Sequence, residues 1–271
     1  MAAKKPQSQS KTRTSAQESR PSRPRLLGKV ALVTGGSRGI GYAIARTLAA
    51  EGCSVVITGR DGAALSKSAA ELRRILSQRP RAHHDNGAKI VAEVSDVRDP
   101  DSVASLFAMV KQRFSRLDVL VNNAGIAQPA VSIEQTSLEI WRDAIDTNLT
   151  GLFLCTRAAL PLMQAGATII NNLSAAARTV FPNFAAYNAS KHGALGFTLS
   201  LRDELIPRGI RVVALMPGAT DTDLWQQFWP DAPRERMVDV ESVAQAALYA
   251  VLLPPTVNLS EVVLAPTGGA L

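Results

Sequence analysis

The sequence predicts a three-layer α/β fold in which a parallel sheet of seven strands is covered by helices on both faces. Three observations carry this. Short β-branched runs recur, the segments between them hold apolar residues at helical spacing, and the two kinds alternate with no shift in composition after residue 26. Runs that are apolar on both sides suit strands buried in a doubly covered sheet, whose crossovers are then right-handed.

The strand runs, in order, are Val30-Ala31-Leu32-Val33-Thr34, Val55-Val56-Ile57, Ile90-Val91-Ala92, Val119-Leu120-Val121, Thr168-Ile169-Ile170, Val212-Val213-Ala214-Leu215 and Val262-Val263-Leu264. All seven are expected to be buried. Ile40, Ile44 and Leu48 mark a helix after the first run, and Val103, Leu106, Phe107 and Val110 mark one before the fourth. The order of strand and helix is that of a doubly wound Rossmann fold. A chain of 271 residues, 46% hydrophobic and without internal repeats, can bury one core of this size, so residues 26–271 are expected to form a single domain.

The net charge of +7 first suggests a nucleic-acid or membrane surface. Its distribution argues otherwise. Residues 1–25 hold seven basic side chains against Glu18, which accounts for +6 and leaves the rest nearly neutral. That segment is rich in Ser, Gln and Pro and is expected to be a disordered, solvated basic tail. No apolar stretch is long enough to cross a bilayer and the tail has no apolar signal core, so a soluble, cytoplasmic protein is expected, with no membrane and no specific nucleic-acid partner. Cys53 and Cys155 lie far apart and read as buried thiols, not a disulfide. His83, His84 and His192 lack companions at ligand spacing, which gives no metal site, and the first two sit in a polar segment read as a solvent loop.

The first strand runs into Thr34-Gly35-Gly36-Ser37-Arg38-Gly39-Ile40-Gly41, with a helical pattern directly after. Glycines there allow a tight turn and close approach of the backbone to a pyrophosphate, and the helix N-terminus offers free N–H groups to the anion. After the second strand, Gly59 stands where an acid would grip a ribose 2′-hydroxyl. Arg60 and Arg38 suit a 2′-phosphate instead, so NADP(H) is favoured over NAD(H). Asp61 is either a displaced ribose-binding acid or an N-cap for the next helix, and the N-cap is preferred.

Tyr187 and Lys191 stand four apart, which on a helix puts them on one face. A phenol of pKa about 10 needs a nearby cation to act as a base near neutrality, and Lys191 supplies one.

The motifs then form an ordered series. Thr34 to Gly41 is followed by Asp96-Val97, Asn122-Asn123-Ala124-Gly125, Asn148 in Thr147-Asn148-Leu149-Thr150-Gly151, Ser174, Tyr187-Asn188-Ala189-Ser190-Lys191, and Pro217-Gly218 with Thr220 and Thr222. From Leu26 to Gly269 this resembles the short-chain dehydrogenase/reductase family in its compact single-domain branch. The resemblance implies an oxidoreductase that moves a hydride between a nicotinamide and a carbonyl or alcohol. It implies catalysis by Tyr187 as general acid or base, Ser174 as donor to the substrate oxygen, Lys191 on the tyrosine and the nicotinamide ribose, and Asn148 completing a proton relay. It assigns the cofactor to Gly35, Ser37, Arg38, Gly39, Ile40, Gly41, Arg60, Asp96, Val97, Asn123, Ala124, Gly125, Tyr187, Lys191, Pro217, Gly218, Thr220 and Thr222, with Asp96-Val97 beside the adenine. The departures are Asn172-Leu173, where another Ser is usual, and Ala177, where Gly is usual.

The lid region, Leu224-Trp225-Gln226-Gln227-Phe228-Trp229-Pro230, is brief. With Phe181, Pro182 and Phe184 its aromatics either line an apolar substrate pocket or pack beneath the loop. The C-terminal run Glu261 to Gly269 is more similar to 3-hydroxy acid dehydrogenases and general reductases than to β-ketoacyl reductases. The resemblance implies a homodimer or homotetramer through the helices holding Asn148 and Tyr187, whose Ala, Leu and Phe suit either an interface or a monomer core. Alternatives are a 3-oxoacyl-(acyl-carrier-protein) reductase, a non-catalytic NADP(H)-binding sensor, and a nucleic-acid binder acting through the tail.

Overall fold

The computed structural model describes residues 24–77, 87–227 and 229–269. The tail before Pro24, the histidine-bearing loop and Phe228 lie outside the described residues. Among the described residues, strands β1 (Val30–Thr34), β2 (Ser54–Gly59), β3 (Ile90–Val94), β4 (Val119–Asn122), β5 (Thr168–Asn172), β6 (Arg211–Pro217) and β7 (Glu261–Leu264) form one sheet in the order β3-β2-β1-β4-β5-β6-β7, every pair parallel.

Helices α1 (Gly39–Ala50), α2 (Gly62–Ser77), α3 (Pro100–Phe114), α4 (Leu138–Ile145), α5 (Gly151–Ala159), α6 (Ala185–Leu205) and α7 (Val240–Leu252) cover it. Successive strand residues point to opposite faces, so Ala31 and Val33 join Ile44, Leu48, Leu72 and Leu248 in one core layer. Val30 and Leu32 join Leu106, Val110, Leu154 and Leu201 in the other. The two outermost strands depart from the expectation of burial: Val94 on β3 is 60% exposed and Val263 on β7 is 64% exposed. Each lies on an edge of the sheet, with a neighbouring strand on one side alone. Arg25, counted with the tail on sequence, is docked on Glu51 through its backbone and guanidinium, so the folded part begins by Arg25.

Helix starts divide into two kinds. Asp61 accepts from Ala63 and Ala64 N–H at the head of α2, and Asp99, Ser137 and Asp239 cap α3, α4 and α7 in the same way. Helices α1 and α6 begin at Arg38 and Phe184, with no side-chain cap from either residue. Helix α1 follows β1, where the strand order reverses between β1 and β4, the usual place for a ligand in an open α/β sheet. No helix among the described residues is long and apolar enough to cross a membrane.

Candidate active site

The glycine loop is shaped by what a side chain would obstruct. Gly35 and Gly39 have φ of +62° and +55°, in the left-handed region that favours glycine. A Cβ at Gly36 would sit 2.8 Å from Ile57 Cγ2, and one at Gly41 would overlap the Asn123 side-chain amide and the Gly35 carbonyl. The loop is held at both ends. Thr34 Oγ1 accepts the N–H groups of Asn123 and Ala124 at 2.9 Å each, and Asn123 Nδ2 donates to the Thr34 and Gly35 carbonyls at 2.9 and 3.0 Å. Ser68 on α2 donates to the Ser37 carbonyl at 2.7 Å.

At the end of β2, the exposed guanidinium groups of Arg38 and Arg60 make no hydrogen bond or ion pair with the described residues. Gly59 has no neighbour closer than 3.9 Å to its missing Cβ. Asp61 is engaged at its own helix, as the N-cap reading expected. Asp96 is not free either. Its carboxylate holds Arg98 at 2.7–3.1 Å, and Arg98 reaches on to Asp143 at 3.1 Å. The hydrogen-bonded Arg98 guanidinium keeps the Asp96 carboxyl below the usual carboxylate range. Arg98 had no signal in the motif series. Val97 is buried against Gly151, where a Cβ would lie 2.7 Å from Val97 Cγ2.

The expected catalytic side chains converge across the crevice. Tyr187 and Lys191 share one face of α6, with Lys191 Nζ 5.7 Å from the phenol ring centroid. Lys191 is buried, 3.5 Å from the Asn172 carbonyl, and desolvation pushes its pKa down to about 8. Tyr187 keeps part of its surface open to the crevice, yet burial pushes the phenol above its ordinary value, with a Ser174 hydrogen bond pulling partly the other way. Burial, and not Lys191, sets the direction of the phenol's shift, against the expectation that the ammonium lowers it. Ser174 Oγ also accepts the Ala176 N–H at 3.1 Å.

Asn148 lies in a π turn, Asp146–Thr150, that joins α4 to α5. It is not satisfied within its own helix. Its Oδ1 accepts Ile126 N–H at 2.9 Å, and its Nδ2 donates to the Ile126 carbonyl and to Ser190 Oγ at 3.0 Å each. Ser190 Oγ donates to the Tyr187 carbonyl at 2.8 Å. Gly125 leaves the space between these groups, since a Cβ there would lie 3.2 Å from Asn148 Oδ1 and 3.7 Å from Lys191 Nζ.

Beneath them runs a buried amide network that the sequence reading missed. Asn122 Nδ2 donates to Thr156 Oγ1 and to Asn171 Oδ1, and Asn171 Nδ2 donates to Thr198 Oγ1. Asn172 Nδ2 donates to Asn123 Oδ1 at 2.8 Å. The available signal was the Asn-Asn pair at the end of both the fourth and fifth strand runs, which the sheet sets side by side with Asn122 opposite Asn171. Gln128, also missed, accepts the Tyr187 N–H at 2.7 Å.

At the far edge, Gly218 N–H donates to the Leu264 carbonyl, Thr220 is buried, and the Thr222 methyl lies 3.4 Å from where Gly39 would carry a Cβ. Arg234, unremarked in the sequence, holds this turn through the Thr222 carbonyl at 2.6 Å and Asp221 at 2.7 Å. The lid is a short 3-10 turn, Asp223–Gln227. Trp225 donates its indole N–H back to the Thr220 carbonyl and meets Trp229 edge-on at 6.1 Å, so this tryptophan packs the lid itself.

The family model for short chain dehydrogenases matches residues 29–233. The chain is 42% identical over 207 residues to the 3-oxoacyl-(acyl-carrier-protein) reductase of Synechocystis sp., covering 75% of this chain and 78% of that protein. It is 34% identical over 252 residues to sulfoacetaldehyde reductase 2 of Chromohalobacter salexigens, covering 89% and 95%. Among solved structures, a short chain dehydrogenase from Burkholderia cenocepacia J2315 in complex with NADP superposes with a TM-score of 0.78 at 33% identity, covering 89% of this chain and 98% of that one.

Proposed function

The chain belongs to the short chain dehydrogenase family, and from that premise we propose that it is an NADP(H)-dependent oxidoreductase interconverting a carbonyl and a secondary alcohol, with Tyr187 moving the proton. The observation that carries this reading is the convergence of Tyr187, Ser174 and a buried Lys191 on the crevice that also holds the glycine loop. A protein that served as a nucleotide sensor would gain nothing from burying an ammonium over a phenol, since desolvating the charge costs stability and lends no affinity for a pyrophosphate.

The residues present fit the cofactor. The tight glycine turn and the α1 N-terminus, free of any side-chain cap, suit a pyrophosphate. Arg38 and Arg60, without ion-pair partners among the described residues, would hold a 2′-phosphate, and Gly59 puts no negative charge against it. The solved relative from Burkholderia cenocepacia, in complex with NADP, supports the same choice. When bound, the nicotinamide supplies or takes up the hydride.

In reduction, Tyr187 donates its phenolic proton to the substrate oxygen while Ser174 donates a hydrogen bond to that oxygen. Burial keeps the phenol protonated, as a donor must be, and the Lys191 ammonium stabilises the phenolate left behind. In oxidation the same group accepts the proton. Asn148 holds the Ile126 backbone and Ser190, and so fixes the floor under Tyr187 and Lys191. A 3-oxoacyl thioester is the second substrate reading, favoured by the 42% identity to the Synechocystis reductase.

The test is to follow NADPH, and separately NADH, against ketones, 3-oxo acids and 3-oxoacyl thioesters. Turnover that prefers NADPH and falls about 10²–10⁴-fold in Tyr187→Phe is expected. Tight NADPH binding with no turnover on any carbonyl would replace this reading with the sensor.

A further inference from the structure

Resting on that reading, we infer that Gln128 is a positioning residue for the proposed reaction, setting the Tyr187 hydroxyl by capping the first turn of α6 from the segment that follows β4. Helix α6 starts at Phe184, whose side chain can accept nothing, so its leading N–H groups depend on partners from elsewhere. Gln128 supplies one. Its side-chain oxygen accepts the Tyr187 N–H at 2.7 Å across 59 positions of sequence, and the residue is 4% exposed.

The orientation of the Gln128 amide is fixed by its other neighbours. Its Nε2 faces the Pro129 and Asn183 carbonyls, both at 3.4 Å, so the nitrogen belongs on that side and the oxygen on the side of Tyr187. Asn183 has φ of +66°, a conformation that few non-glycine residues adopt, and its carbonyl also accepts the Val131 N–H at 3.0 Å. The chain entering α6 is therefore clamped against residues 128–131 on one side, while Ser190 and Asn148 hold the turn on the other.

Tyr187 is the third residue of α6, within the turn that frays first when its donors lose their acceptors. Lys191 lies one turn further in and is held independently by the Asn172 carbonyl. Loss of the Gln128 cap thus moves the phenol relative to Ser174 and Lys191 and leaves the glycine loop alone. Misplacement of a reacting group by about 1 Å costs roughly 100-fold in rate.

The experiment compares Gln128→Met, which keeps length and removes the acceptor, with Gln128→Glu. For Gln128→Met the expectation is a fall in kcat of about 10–100-fold, NADPH affinity within about 2-fold of the parent, and faster amide exchange in residues 185–189 but not in β1 or α1. The neutral acid of Gln128→Glu reproduces both the acceptor and the donor. The carboxylate sets a charge against two carbonyls. Its kcat should therefore stand within about 3-fold of the parent at acid pH and fall about 10-fold as the group ionises, a limb the parent lacks. A folded Gln128→Met with kcat within 2-fold of the parent, or with unchanged exchange at 185–189, overturns the inference. Should that variant not fold, the absence of the extra limb in Gln128→Glu overturns it as well. The exchange measurement uses no substrate, so it decides the capping even where no carbonyl is turned over, an outcome that would sink the proposed function separately.

Discussion

The glycine loop and the catalytic wall opposite it are built by contrary means. The loop is main chain shaped by missing side chains, with Gly41 where any Cβ would overlap and α1 without a side-chain cap. The wall is a set of side-chain amides, in which Asn122 bonds Asn171 and the hydroxyl of Thr156, Asn171 the hydroxyl of Thr198, Asn148 that of Ser190, and Gln128 the Tyr187 backbone. The difference follows from the task. An anion is held by any set of inward N–H groups, whereas proton transfer needs one hydroxyl in one place. Buried amides hydrogen-bonded in this way orient their neighbours, which suits the second task and is unnecessary for the first. Asn123 belongs to both, donating to the Gly35 carbonyl and accepting from Asn172.

Gly41→Ala breaks the loop and has the largest expected effect. The added methyl overlaps the Asn123 amide and the Gly35 carbonyl, neither of which can yield without moving the turn. Overpacking of this kind costs about 3 kcal/mol. If the loop relaxes outward to relieve it, the same energy must be restored on binding, which lowers NADPH affinity about 100-fold. Titration by nucleotide fluorescence tests this, and an affinity within 3-fold of the parent would show that the loop is not shaped by close packing.

Lys191→Met reverses the sign on the opposite wall. The Lys191 pKa is lowered from 10.5 to about 8 by burial. Between those values the unfolded chain binds more protons than the folded one, so this group makes stability rise with pH from about 8 to about 10.5. Below pH 8 the buried charge is a standing cost of up to about 3 kcal/mol, at 1.36 kcal/mol per pKa unit. Without cofactor, Lys191→Met is expected to melt about 5 °C higher at pH 7, to lose the rise above pH 8, and to lose activity. A lower melting temperature at pH 7 would mean that the ammonium is stabilised by its surroundings.

How much of this was legible in the sequence follows the same division. The parallel, doubly covered sheet was readable from alternation of strand and helix, and the loop from Gly35, Gly39 and Gly41 in one short stretch next to a strand. Local backbone demands leave local marks. Tyr187 and Lys191 were readable because four residues make one helix face. The amide wall was not, because Asn122 meets Asn171 across 49 positions and Gln128 meets Tyr187 across 59, distances over which one Asn or Gln looks like any other. Edge exposure of β3 and β7 was missed for a related reason: a β-branched run reads the same whether one neighbour covers it or two. The engagement of Asp96 by Arg98 was local, yet the motif drew attention to the acid and away from the arginine two places on.

Asn122→Leu tests whether the wall stands apart from the loop, with the smallest expected effect. Asn171 is fully buried, and its Oδ1 takes a hydrogen bond from Asn122 Nδ2, so leucine at 122 leaves that oxygen without this donor. Such a loss costs about 1–3 kcal/mol. The lower part of that range is expected, because Asn122 Oδ1 is itself buried without a partner and leucine removes that burden too. The variant should melt about 3–5 °C lower, lose part of its kcat and bind NADPH as the parent does. Combining it with Gly41→Ala then measures the link between the two regions. Stability effects that add within about 0.5 kcal/mol describe two independent structures. A larger interaction energy would mean that Asn123, bonded to the loop carbonyls on one side and Asn172 on the other, carries strain from the cofactor loop into the catalytic wall.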